Sequence, residues 1–215
     1  MSVLLKYISQ GEHQTQDFKF EINDQKKIAR TLAAFGNTDG GRLFIGVKDN
    51  GKITGCDPEE EYHMIEGAAE LYCTPKIAFE STVHQEGFRQ VLEIVVEGNT
   101  KRPYKAYDED GRWKSYLRKD DHTILVNKIL YRVWQHQERE TARPESFGEE
   151  ELELLRLFNE VDEITLSQLY RKSNLPMKRV DHWLALFVSW NLVRMNIEET
   201  KTTYTVQESA RKRLR

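Results

Sequence analysis

Two groups of side chains in this sequence have the types and spacing for phosphate chemistry. Arg102, Tyr104, Lys105, Lys114, Tyr116, Arg118 and Lys119 interleave basic and aromatic residues along two extended segments. Such a strip can set cations against phosphates and stack rings on unpaired bases. The same alternation also describes any half-exposed strand. Further on, Lys178, Arg179 and His182 fall on the outward, N-terminal side of a helix, where a recognition helix meets base edges and phosphates. Lys201 and the run Arg211-Lys212-Arg213 would add phosphate contacts. A third pattern, Gly46-x-x-x-x-Gly51-Lys52, imitates a phosphate-binding loop. It lacks the Ser or Thr that must follow the lysine, because Ile53 stands there, and its glycines bracket a hairpin. A β-turn is the better reading.

The elements that must position these groups can be read from periodicity. Ile28, Leu32 and Phe35 recur at helical spacing, and Asn23-Asp24 can cap a helix from Gln25 to about Phe35. Asn37, Gly40 and Gly41 end it in a structural turn, since glycine tolerates the positive φ that redirects the chain. Leu43 to Val47 follows as a buried strand, and Asp49-Asn50-Gly51 signals a tight turn into Ile53. Gln16 to Ile22 reads as a strand, Asp57-Pro58 opens a helix, and Ile77 to Val83 and Phe88 to Val96 form an antiparallel pair. Trp113 to Arg118 reads as a strand and Thr123 to Gln135 as a closing helix. Beyond a polar stretch containing Pro144 and Gly148, three helical patterns precede two strands around Glu198 to Lys201, the winged-helix order. The expected fold is α+β, a mixed sheet flanked by helices, plus a small winged helix-turn-helix domain. The boundaries expected are 1–135, a linker at 136–147, and 148–215.

With 39% hydrophobic and 31% charged residues, the composition is that of a soluble globular protein. No run approaches the ~18 apolar residues of a membrane span, and the first residues do not form a secretion signal, so a cytoplasmic location is expected. Cys56 and Cys73 are expected as reduced thiols. The net charge of −3 offers no overall attraction for a polyanion, but its distribution does. From Ile164 to Arg215 there are ten Lys/Arg against four Asp/Glu, a difference of +6.

The stretch AAFGNTDGGRLFIGVKDNGKITG, preceded by GEHQTQDFKFE, resembles the Schlafen AlbA-like domain family. That family's pattern runs GE, an acidic-aromatic-Lys triplet, a helix, A-F-N-T-x-G-G, then I-G-V-x-D-x-G-x-I-x-G. The later RPY and YLRKDDHT resemble its Pro-Tyr and Y-x-R segments, so the likeness spans roughly residues 1–135. In members that cut RNA, the acidic site falls on positions matched here by Glu12, Asp17 and Asp49. The resemblance therefore implies a carboxylate set for Mg²⁺ or Mn²⁺, which activates water and neutralises phosphate. Lys19, two residues beyond Asp17 on the same strand face, would steady the developing charge. Asp17 stands where the family usually has Glu, one methylene longer. The family has often carried an ATP-binding label, and a nucleotide site near Asn37 and Gly40-Gly41 stays open. The expected function is nucleic-acid binding, with DNA favoured over RNA, as a transcriptional regulator. The alternatives are a metal-dependent Schlafen-type endoribonuclease and a regulatory scaffold whose winged helix binds protein. Homo-oligomerisation stays open.

Overall fold

The structure is a computed structural model and describes residues 2–99, 103–158 and 161–208. It divides into two units, residues 1–126 and 127–215. The first opens with α1 (Val3–Ile8), β1 (Gln16–Lys19), α2 (Gln25–Asn37), β2 (Gly40–Ile45) and α3 (Pro58–Leu71). There follow β3 (Cys73–Thr74), β4 (Glu80–Glu86), β5 (Arg89–Glu97), β6 (Lys105–Tyr107), β7 (Trp113–Lys114), β8 (Tyr116–Lys119) and β9 (His122–Leu125). Its main sheet has the order β1-β2-β5-β4, with β1 parallel to β2 and the remaining pairs antiparallel. The class is the expected mixed α+β.

The main sheet is covered on both faces. Ile28, Leu32 and Phe35 of α2 pack with Leu43, Ile45, Leu92 and Ile94 on one side. Leu4 of α1 packs with Phe18, Phe44 and Val91 on the other. That is why Leu43-Phe44-Ile45 is a continuous apolar run rather than an alternation. Asp24 caps α2 by accepting from the Lys26 and Lys27 amides, and Asp57 caps α3 likewise. Between α2 and β2 the chain turns at Gly40, whose φ is +79°. A Cβ there would lie 2.7 Å from the Val96 carbonyl oxygen, and one on Gly41 would lie 2.2 Å from the Phe35 ring. The pair is fixed by close approach as well as by backbone conformation.

The second unit contains α4 (Lys128–Glu138), α5 (Glu149–Leu157), β10 (Ile164–Thr165), α6 (Leu166–Lys172), α7 (Met177–Ser189), β11 (Val193–Ile197) and β12 (Thr202–Val206). The three strands form an antiparallel sheet of order β10-β12-β11. Two expectations change here. The helix expected from Thr123 does not start there: residues 122–125 pair with β8 as a hairpin turned at Asp120, φ +55°. The helix begins only after Asn127, whose side chain accepts from the Ile129 and Leu130 amides. Its Ile129 and Val133 belong to the apolar core of Leu184, Phe187 and Tyr204. The boundary therefore lies near residue 126 rather than 135, and α4 belongs to the C-terminal unit.

One side chain fixes the first unit's later strands. Asn37, buried at the end of α2, donates through Nδ2 to the carbonyls of Tyr104 and Tyr116, both at 2.8 Å. Its Oδ1 accepts from the Tyr104 amide at 2.7 Å. Its neighbour Thr38 donates to the Ala34 carbonyl and accepts from the Arg118 amide at 2.9 Å. Replacing Asn37 with Ala leaves three backbone groups without their partner. We expect Asn37→Ala to lower the unfolding free energy by about 3 kcal/mol in urea titrations. An unchanged midpoint would mean that water takes over all three bonds.

Candidate functional site

The residues singled out in the N-terminal unit separate into two sets. Asp17 points from β1 into a buried corner, where its carboxylate meets Lys19 Nζ at 2.8 Å and Arg118 Nη2 at 3.6 Å. Glu12 accepts from the Phe18 amide at 2.9 Å and lies in hydrogen-bonding contact with Asp17. Burial first, and the Asp17 charge and hydrogen bond with it, raise the Glu12 carboxyl above the usual range, against the lowering effect of the Phe18 amide. Asp49 does not join them. It is exposed on the turn where the Gly51 amide donates to the Lys48 carbonyl at 2.7 Å.

The structure thus brings together Glu12, Asp17 and Lys19 and adds Arg118, but leaves Asp49 apart. Among the described residues no group of three His, Cys, Asp or Glu side chains could hold a metal ion. The donor set does not fit the three-carboxylate Mg²⁺ or Mn²⁺ site that the family pattern implies. Two carboxylates already face two cations, and the cluster's charge is balanced from within. Arg118 is the member that sequence reading placed elsewhere. Its guanidinium lies 5.2 Å from the Phe35 ring centroid, donates to the His13 carbonyl at 3.3 Å, and is almost fully buried.

The basic and aromatic strip is corrected for the same reason. Arg118 and Tyr116 are buried, because β8 lies under α2 instead of on the surface. Tyr104 is half-buried and clamped by Asn37. Lys114 is held by Asp108 at 2.6 Å and Asp110 at 2.7 Å. The Lys114 ammonium in turn draws the Asp108 carboxyl down to about 2. Lys119 lies 3.6 Å from Asp120. Arg102 falls outside the described residues. Among the described residues these segments carry ion pairs rather than a row of free cations.

In the C-terminal unit, Lys178 is exposed on the first turn of α7, with no ion pair among the described residues. Arg179 is bound by Glu150, which also accepts from Trp183 Nε1 at 2.9 Å. His182 is half-buried, with its ring 5.7 Å from that of His136 on α4. Helix α4 covers the middle of α7. Lys128 reaches Asp181 at 3.0 Å and the Tyr170 hydroxyl at 2.5 Å, and Tyr170 donates to Asp181. Lys201 pairs with Glu163 at 3.1 Å. Arg211 and its basic neighbours lie outside the described residues. Arg132 and His136 do not stand out as site residues in the sequence, where their helix reads as the end of the first unit. Their i, i+4 spacing on a helix whose Ile129 and Val133 face the core was the available signal.

A cleft of about 500 Å³ opens beside Gly40 and Gly41, where Arg42 lies among Asp39, Glu97 and His13. Arg42 is already paired with the buried Glu93, which lies 2.6 Å from His84 Nε2, and it stacks 4.7 Å from the Tyr7 ring. Its charge is spent inside the wall.

Two outcomes follow from the acidic corner. Asp17→Asn removes the counter-charge of a buried arginine and is expected to cost about 3 kcal/mol in chemical denaturation. Asp49→Asn is expected to stay within about 0.5 kcal/mol of the parent. Equal effects at the two positions would undo this division of the acids. Glu12→Gln keeps the acceptor for Phe18 and mimics the protonated acid. Because the folded carboxyl titrates above its unfolded value, the protonated form contributes stability below the unfolded pKa, and this is lost as pH rises through the folded one. The variant should therefore melt above the parent at neutral pH and converge with it in acid. A gain confined to acid would reverse the assignment.

The Schlafen, AlbA_2 family pattern matches residues 12–127, 116 of the 215 residues. No curated protein matches the chain. Among solved structures it is similar to the DIP2311 protein from Corynebacterium diphtheriae, at 19% identity and a TM-score of 0.42. That likeness covers 68% of this chain and 30% of the other, so the chain spans less than a third of that relative. It is also similar to the N-terminal domain of a RecG-related protein from Nitrosomonas europaea, at 19% identity and a TM-score of 0.40, over 54% of this chain and 82% of that one. With more than half its length matched by that pattern, the chain belongs to the Schlafen AlbA_2 family.

Proposed function

We propose that this protein binds DNA through its C-terminal unit, as a winged-helix regulator of transcription. The observation that carries this reading is the arrangement of α6, the turn at residues 173–176, α7 and the β11–β12 hairpin, with Lys178 on the exposed first turn of α7 forming no ion pair among the described residues. In helix-turn-helix proteins the second helix addresses base edges with its N-terminal residues, which here are Met177, Lys178 and Arg179. The +6 balance of residues 164–215 adds a sequence-independent attraction for phosphates. Membership of the AlbA_2 family supports a nucleic-acid-related role for the chain as a whole.

The ribonuclease reading has less behind it. Its three carboxylates are divided between a balanced ion-pair corner and an exposed turn. The scaffold reading would leave Lys178 without a task.

The test is fluorescence anisotropy with labelled duplex DNA across a KCl series, alongside single-stranded RNA of matching sequence. Lys178→Ala is expected to flatten the slope of log K against log salt by about 1 unit. Arg179→Ala should change it less, because Glu150 already neutralises that guanidinium. Equal binding by parent and Lys178→Ala at every salt concentration would remove α7 as the reader.

A further inference from the structure

The seam between α4 and α7 gathers basic groups, of which Arg132 and Arg139 form no ion pair among the described residues. Along α4, Arg132, His136 and Arg139 follow one another at spacings of four and three, beside the buried stripe of Ile129 and Val133. Neither Arg132 nor Arg139 forms an ion pair among the described residues, whereas the neighbouring Lys128 is fully engaged by Asp181 and Tyr170. Across the seam lies His182, with its ring 5.7 Å from His136 and 4.9 Å from Trp183. The His136 Nδ1 lies 3.3 Å from the Thr141 hydroxyl, which leaves Nε2 for another partner.

We infer that Arg132, His136 and His182 form a phosphate-binding seam, which holds a backbone phosphate when the C-terminal unit meets nucleic acid. This deepens the DNA-binding reading and rests on it. Arginine supplies the fixed charge and a planar set of donors. Two adjacent imidazoles supply donors that become charged only when an anion is present to balance them.

The surroundings agree. Burial first keeps both imidazoles below their ordinary value; His182, then Arg139 and Arg132, act further on His136, and Arg179 and Arg132 act on His182. The acidic groups facing His182 are Glu150 and Glu151 of α5, and Glu150 is committed to Arg179 and Trp183. Without a ligand both rings are therefore held toward the neutral form. A bound phosphate reverses the balance, so binding takes up protons and strengthens as pH falls.

The test has two arms on the full chain. In the first, duplex DNA binding is followed by anisotropy at about pH 6 and about pH 8, which bracket the imidazole range. The parent is expected to bind several-fold more tightly at the lower pH, and His136→Gln with His182→Gln should abolish that difference. Arg132→Gln should flatten the salt slope by about 1 unit. If the parent binds DNA but both variants keep its pH and salt response, the seam is refuted and the DNA-binding reading stands. In the second arm, the histidine ring signals of the parent are followed by NMR during titration with inorganic pyrophosphate. Joint movement of His136 and His182 toward the imidazolium position supports the seam even if no DNA is bound, and points to a small phosphate compound as the ligand. Rings that do not move, in a parent that binds no DNA, refute both readings.

Discussion

The first unit hangs on the carboxamide of Asn37. A buried helix end normally leaves carbonyls to be satisfied and a direction to be chosen for the next segment. Here one side chain meets both the amide and the carbonyl of Tyr104 and the carbonyl of Tyr116, which are far apart in sequence. An Asn can do this because it carries two donors and an acceptor in one plane. With Thr38 holding the Arg118 amide, the last two residues of the turn determine where β8 begins and which way Arg118 points. The ion pair with Asp17 depends on that anchoring.

This dependence accounts for the chemistry of the acidic corner. A carboxylate pair intended for a divalent ion must remain under-neutralised until the ion arrives. Asp17 instead has Lys19 and Arg118 beside it, and Glu12 is held against a backbone amide. The corner joins β1, α2 and β8 in a buried, charge-balanced contact. The C-terminal unit has the opposite character. There α4 and α7 bring arginines and histidines together with too few acids to match them.

Much of the fold was legible where local signals were strong. Asp24 and Asp57 announced their helices, Gly40-Gly41 announced the turn, and the Phe18–Phe20 and Leu43–Val47 patterns announced neighbouring strands, although β1 stops at Lys19. What failed was burial in short strands. YLRK looks half-exposed, yet its first three residues are all buried, because an arginine with a carboxylate partner can occupy the interior as a tyrosine does. The hairpin of β8 and β9 was missed because Asp120 takes a left-handed conformation that glycine usually signals. The assignment of α4 to the wrong unit had another origin. Its apolar stripe is ordinary, and only its packing partners, Leu184 and Phe187, reveal which core it completes. The three acids fell short for a geometric reason: sequence fixes the order of Glu12, Asp17 and Asp49 but not the distance between a strand and the far end of a turn.

The position of α4 sets a limit on discrimination. A single helix is about 10–12 Å across with its side chains, and a duplex major groove is about 12 Å wide. A helix with a second one packed along one side could enter such a groove only by its opposite face or by its end. Asp181 and His182 are engaged by α4, so on the proposed DNA-binding reading the first turn of α7, with Lys178, would be the part free to approach base edges. On that proposed reading each unit would address few base pairs. Any choice between DNA sites must come from several units acting together or from how readily the duplex bends around them.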